Sequence, residues 1–199
     1  MNASLATDCT VARLDVVDSG SGGRRRQRHL DQALTDMLDI ALTTLDHHNL
    51  YASARRFQRA DGDSATLAFG ADIAKAWVLS DLVLREFDLA LGEVNKPLID
   101  RYRLRVRIAV DDGPTVIDPP HITGAPVVGT ARLIDAEPFR QALVDAPEED
   151  FGVIVSDRFR AGVVLNGERG LDRVPFRPVE VSVKGTRCSA WVYVPKRER

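Results

Sequence analysis

Arg28 to Leu45 carries apolar side chains at Leu30, Ala33, Leu34, Met37, Leu38, Ala41, Leu42 and Leu45. Steps of three and four place them on one stripe, so the stretch predicts a helix with one buried face. Ile73 to Val94 predicts a second long helix, with Trp77, Leu82, Leu84, Phe87 and Leu91 among its apolar positions and Pro97 beyond its end. Between and around these helices the period changes to that of strands. Thr10 to Val17 is β-branched and apolar and runs into Asp18-Ser-Gly-Ser-Gly-Gly23. Ser53 to Gln58 and Ser64 to Phe69 flank Arg59-Ala-Asp-Gly-Asp63, a hairpin signal. Tyr102 to Ile108 alternates polar and apolar and is the plainest strand of the chain.

Asp111-Asp-Gly-Pro114 predicts a turn after that strand, with Thr115 to Ile117 pairing back and an irregular loop over Asp118 to Pro126. Short helices are expected over Val127 to Ile134 and Glu137 to Val144, and a strand over Phe151 to Val155. Ser156-Asp-Arg158 suits a helix cap. Val179 to Val183 and Ala190 to Val194 make a final hairpin.

The order opens as βαββαβ and ends in helix, strand, helix and hairpin. This predicts an α+β fold: a ferredoxin-like core whose mainly antiparallel sheet carries helices, with a C-terminal extension. The 199 residues suit one domain over 1–199, with its core at about 10–195. Hydrophobic residues at 44% and charged residues at 28% are those of a globular chain. A net charge of −2 without a dense basic stripe argues against a nucleic-acid partner. No apolar run approaches the roughly 18 residues that span a bilayer, and Met1 to Thr10 has no secretion-signal pattern. Cys9 and Cys188 are read as reduced packing residues. A cytoplasmic protein is expected.

Two acidic features sit at strand ends. Asp15 and Asp18 lie where the first strand meets its Gly-rich turn, and Asp61 and Asp63 lie in the hairpin. First and third strands are central neighbours in a βαββαβ sheet, so Asp15 and Asp63 can converge. Converging carboxylates with open positions suit Mg²⁺, whose remaining places go to water and substrate phosphate. The Gly-rich turn offers backbone N–H groups to phosphate oxygens, although it lacks the Gly-Lys-Ser/Thr of a P-loop. For each aspartate alone, ordinary turn chemistry is the competing reading. Arg24-Arg-Arg26 is either a solvated cluster or a triphosphate contact, and His47 and His48 suit a helix C-terminus. No Ser-His-Asp or Cys-His arrangement stands out.

These residues resemble the class III nucleotidyl cyclases, the adenylate and guanylate cyclase catalytic domain. Leu14-Asp15-Val-Val17 is similar to the first metal motif, and Gly62-Asp63 to the second. Arg105-Val-Arg107-Ile-Ala-Val resembles the Arg-Ile-Gly-Ile/Val strand, and Gly124 to Leu133, ending Thr130-Ala-Arg132-Leu133, the Val-Asn-x-Ala-x-Arg-Leu helix. Ile154-Val-Ser156 and Val183-Lys-Gly185, with Tyr193, resemble the closing strands. The likeness runs from about Arg13 to Val194. The run Phe176 to Lys184 with Ala190-Trp-Val192 is most similar to compact cyclase-like proteins of actinobacteria, and a stand-alone domain of this size also resembles the Pycsar-type pyrimidine cyclases of antiphage signalling.

The resemblance implies two Mg²⁺ or Mn²⁺ ions per site, held by Asp15, Asp63 and the carbonyl of Val16. It implies phosphate contacts from Val17, Asp18 and Ser19, and a transition-state cation at Arg132. It also implies a nucleoside triphosphate substrate and a homodimer with active sites between subunits. The product would act on a downstream effector. Three positions depart from the pattern. Val128 stands where the family has a ribose-contacting Asn, with Thr130 as a candidate substitute, and Asp18 replaces a small residue. The base-reading positions fall on Arg59 and His121, neither the adenine pair nor the guanine pair. Both can address the O2 and N3 edge of a pyrimidine; they also read as a solvated hairpin charge and a loop residue. The expected activity is pyrimidine cyclisation to cUMP or cCMP. The alternatives are an adenylate cyclase and an inactive nucleotide-binding module.

Overall fold

A computed structural model describes residues 5–47, 56–183 and 185–196. His48, residues 53–55 of the second expected strand, and Lys184 lie outside the described residues. The strands are β1 (Thr7–Val16), β2 (Arg56–Asp61), β3 (Ser64–Gly70), β4 (Val106–Asp118), β5 (His121–Gly124), β6 (Phe151–Ser156), β7 (Arg177–Val183) and β8 (Thr186–Tyr193). The helices are α1 (Gly23–His47), α2 (Lys75–Trp77), α3 (Phe87–Asn95), α4 (Ala125–Ile134), α5 (Glu137–Val144) and α6 (Asp157–Gly162), with a π-helical run Val78–Glu86 joining α2 to α3.

One sheet in the order β2-β3-β1-β4-β6-β8-β7 organises the chain, with β5 paired to β4. β1 runs antiparallel to both β3 and β4, and β4 runs parallel to β6. The expected βαββαβ core is therefore present, with β1 central. Alternation along β1 divides its side chains between two faces. Ala12, Leu14 and Val16 pack with Leu30, Leu34 and Met37 of α1 and with Phe87 and Leu91 of α3. Over the β4–β6–β8 part of the other face, Phe139 and Leu143 of α5 and Leu133 and Ile134 of α4 cover Ala109, Ile154 and Val192. On the β1–β3–β2 side a smaller cluster joins Cys9, Val11, Phe57, Ala68 and Ile122.

The sequence expectation fails after Ile108. The strand starts later, at Val106, because residues 100–102 form a 3₁₀ turn, and it runs unbroken through Asp111-Asp-Gly-Pro114. Those residues pair with Val11, Thr10, Cys9 and Asp8 of β1. Pro114 is tolerated because β6 stops pairing at Val110, so β4 has a free side where a missing N–H breaks no ladder. The expected loop holds β5, which pairs back onto Thr115 to Asp118. Gly124 ends β5 at φ +146°, and a Cβ there would lie 2.4 Å from the Pro114 carbonyl oxygen. Gly124→Ala is expected to cost about 3 kcal/mol from backbone strain and clash. Its thermal midpoint should fall by roughly 6–12 °C, and an unchanged midpoint would show that the α4 entrance can shift freely.

Candidate active site

Asp15 sits in β1 opposite Ser64 of β3 and Arg107 of β4. The β2–β3 hairpin has Gly62 and Asp63 as its two loop residues, because Asp61 pairs with Ser64. Gly62 takes φ +64°, the left-handed conformation that a tight hairpin asks of its first central residue. The turn then leans on the end of β1: the Val16 amide donates to the Asp63 carbonyl at 2.9 Å. Asp15 and Asp63 are thus neighbours, and the charge of Asp63 is felt at Asp15. Burial raises the Asp15 carboxyl above its ordinary value; Arg107 opposes that shift, and Asp63 and Asp135 add to it.

Arg107 is the counter-ion here. Its Nη2 donates to Asp15 Oδ2, while its buried Nε has no hydrogen-bond partner among the described residues. Ser19 Oγ donates to Asp63 Oδ2 at 2.5 Å, which ties the Gly-rich turn to the hairpin. Asp15, Val16, Val17, Asp18, Ser19, Gly20, Arg105 and Arg107 line an open cavity of about 480 Å³, together with Asp135, Glu137 and Arg140.

The residues expected to contact phosphate divide. The Val17 amide is already donated to the Arg105 carbonyl at 2.8 Å, so that N–H cannot serve a phosphate without breaking this bond. Asp18 takes φ +53°, and its carbonyl accepts from the Ser21 amide and from Arg26 Nη1. The bent turn leaves the amides of Asp18, Ser19 and Gly20 without an acceptor among the described residues. Unengaged turn N–H groups are what anion-binding concavities are built from.

Arg132 is half-buried on α4 and does not line this cavity. Val128 is 50% exposed on the first turn of the same helix. Thr130 is fully buried and gives its hydroxyl to the Pro126 carbonyl at 2.9 Å, so a ribose contact would have to come from elsewhere. Arg59 lies on β2 two residues from Phe57, and His121 directly precedes Ile122. Arg59 therefore shares the face of β2 that carries Phe57, whereas His121 alternates to the face of β5 opposite Ile122 and is exposed.

Sequence reasoning missed two carboxylates. Asp135 ends α4, pairs with Arg140 at 2.6 Å and bears on Asp15. Asp31 on α1 has its carboxyl raised, first by burial and then by Asp63. The Arg105/Arg107 motif also splits into two jobs. Arg107 faces Asp15, whereas Arg105 donates to the Leu143, Ala146 and Glu149 carbonyls and anchors the segment leaving α5. Among the described residues no three His, Cys, Asp or Glu side chains form a ready metal cluster. The hard oxygen donors Asp15, Asp63 and the Val16 carbonyl nevertheless fit a divalent ion whose other positions belong to water and substrate.

No protein-family model and no curated protein sequence matches the chain. Solved structures do. An adenylate/guanylate cyclase/hydrolase from Silicibacter pomeroyi is 19% identical over 96% of this chain and 99% of its own, with a TM-score of 0.54. The catalytic core of a rhodopsin-guanylyl cyclase with converted specificity, solved with ATPαS, matches over 100% of both chains at 15% identity and a TM-score of 0.60. This chain has the class III cyclase fold. A non-canonical dimeric guanylyl cyclase domain of a fusion protein from the fungus Blastocladiella emersonii shares it, at 12% identity and a TM-score of 0.56 over 96% of this chain and 98% of its own. Within that cyclase fold, Asp15 and Asp63 stand at the end of β1 and at the neighbouring hairpin.

Proposed function

We propose that the protein is a nucleotide cyclase that closes a pyrimidine nucleoside triphosphate to its 3′,5′-cyclic monophosphate and pyrophosphate. It works as a homodimer, and its product serves antiphage signalling. The observation that carries the chemistry is the meeting of Asp15 and Asp63 beside a cavity with three free turn amides. Asp15 is a half-buried strand carboxylate, paired with Arg107, whose proton affinity burial raises, the kind of environment found at functional sites.

Asp15, Asp63 and the Val16 carbonyl would hold Mg²⁺ or Mn²⁺. Bound there, the ions supply charge neutralisation for the attacking oxygen and the leaving pyrophosphate. The amides of Asp18, Ser19 and Gly20 hold phosphate oxygens. Arg107 balances the charge of Asp15 and would be within the same cavity as the phosphates. The ribose 3′-oxygen bonds to the α-phosphorus, the α–β anhydride bond breaks, and the hydroxyl proton leaves to solvent. Arg132 sets its guanidinium on the charge that develops during this step. Arg59 and His121 address the base.

Incubation with ATP, GTP, CTP and UTP separately, with Mn²⁺ or Mg²⁺ and mass-spectrometric detection, tests this. One pyrimidine cyclic monophosphate is expected, with equimolar pyrophosphate. A purine product alone would keep the cyclase and discard the pyrimidine. No product from a folded protein that binds nucleotide would leave a binding module, a reading that Val128 at the ribose position favours.

A further inference from the structure

The register of the sheet sets three polar side chains in line beside the aspartates. Arg59 of β2 pairs with Thr66 of β3, and Thr66 pairs with Arg13 of β1. All three share the face that carries Asp15, and the next line along that face is Asp61, Ser64, Asp15 and Arg107. The two lines lie roughly 7 Å apart, and Arg13 and Arg59 stand roughly 10 Å apart across Thr66. Arg13 is half-buried on a central strand, at a position where burial of a charge calls for a partner. Its only polar contact among the described residues is a long one, Nη1 to Thr66 Oγ1 at 3.5 Å. Arg59 Nε lies 2.8 Å from Asp61 Oδ2 without its N–H aimed at that oxygen, so the pair is ionic and the outer guanidinium nitrogens remain available.

We propose that Arg13, Thr66 and Arg59 read uracil, with the two guanidinium groups donating to its two carbonyl oxygens and the Thr66 hydroxyl between them accepting from N3–H. This rests on the nucleotide-cyclase reading above and narrows it to uridine triphosphate. The line presents donor, acceptor, donor. Uracil presents acceptor, donor, acceptor on its Watson–Crick edge and is the one RNA base with two carbonyls flanking an N–H. Cytosine puts an amino group against one of the arginines, guanine does the same on its N2 side, and adenine offers no carbonyl at all. A wrong base leaves a guanidinium facing a donor in a site that is partly desolvated, which is where such mismatches discriminate most. Thr66 is 4% exposed, so it forms the floor of the line and the arginines form its walls.

The probes are 3′-deoxy-UTP and 3′-deoxy-CTP with Mn²⁺, which lack the attacking hydroxyl and report binding by calorimetry whether or not the protein turns over. Wild type should hold the uridine analogue at least about tenfold more tightly than the cytidine one. Arg13→Ala and Arg13→Lys should each erase that preference by weakening the uridine analogue about tenfold or more, with the cytidine analogue changed less than about threefold. Lys keeps the charge and loses the fork, so it separates base reading from general attraction of a triphosphate. Both variants should melt near wild type, since Arg13 holds only the one long contact. Equal loss for both analogues would make Arg13 a phosphate contact and overturn the proposal, as would no loss for either. Cyclic product from wild type with no uridine preference would likewise sink the uracil assignment and leave the cyclase standing. No product from any nucleotide together with a uridine preference in binding would do the reverse.

Discussion

Asp63→Ala is expected to lower cyclisation by about 10³-fold or more while the protein folds as before. The carboxylate is half-buried and accepts one hydrogen bond, from Ser19 Oγ. The bond that docks the hairpin on β1 uses the Asp63 backbone carbonyl, which the substitution keeps. Gly62 supplies the turn's left-handed residue and is untouched. Stability should therefore change by no more than about 1 kcal/mol. Loss of a metal-holding carboxylate acts on charge that develops only during reaction, where a single preorganised group is worth about 10²–10³ and a metal-holding one more. Product formation and the thermal midpoint, measured on the same preparation, decide the matter. Turnover within a few-fold of wild type would remove Asp63 from the site. A collapsed midpoint would show the carboxylate to be structural.

That prediction could be made from the sequence because strand order alone brings Asp15 next to Asp63. The βαββαβ pattern puts the first and third strands side by side, and the register confirms it with Asp15 opposite Ser64. Asp111-Asp-Gly-Pro114 misled for the opposite reason. Its composition is that of a turn, yet it lies in a strand because distant partners satisfy it. Buried Asp111 accepts from Ser156 Oγ at 2.5 Å and Arg158 Nη2 at 2.8 Å, with the Asp112 amide as a third donor. Lys75 bridges Asp112 and Asp8. Close packing adds to this: a Cβ on Gly129 of α4 would lie 2.6 Å from Asp111 Oδ2, so α4 rests directly on that carboxylate. Apart from the adjacent Asp112 amide these partners are distant in sequence, and turn propensity is a local property.

The split between Arg105 and Arg107 was equally illegible. Both alternate onto one face, but only the packing of the α5–β6 connection against Arg105 separates a carbonyl anchor from an aspartate counter-ion. The Arg13–Thr66–Arg59 line also needed the strand register, since a shift of one residue in either strand pairing would turn one member to the opposite face.

On the proposed reading, in which the guanidinium meets its charge in the transition state, Arg132→Ala is expected to cut kcat by about 10²-fold or more with little change in nucleotide affinity. Arg132 does not line the cavity beside Asp15. If it acts on the phosphate, it serves a site completed by a second copy of the chain, and a two-fold dimer then has two equivalent sites. This gives a sharper result than either variant alone. Asp63→Ala and Arg132→Ala, each inactive, should regain activity when mixed. A mixed dimer carries one site with Asp63 from one protomer and Arg132 from the other, and one site with neither. With free exchange about half the dimers are mixed and each has one working site of two, so about a quarter of wild-type activity should return. Co-refolding at equal amounts and assay of product measures it. Mixed dimers confirmed by differential tagging that stay inactive would place Asp63 and Arg132 in the same protomer's site. A rise in KM alone for Arg132→Ala would make it a ground-state contact and not a transition-state one.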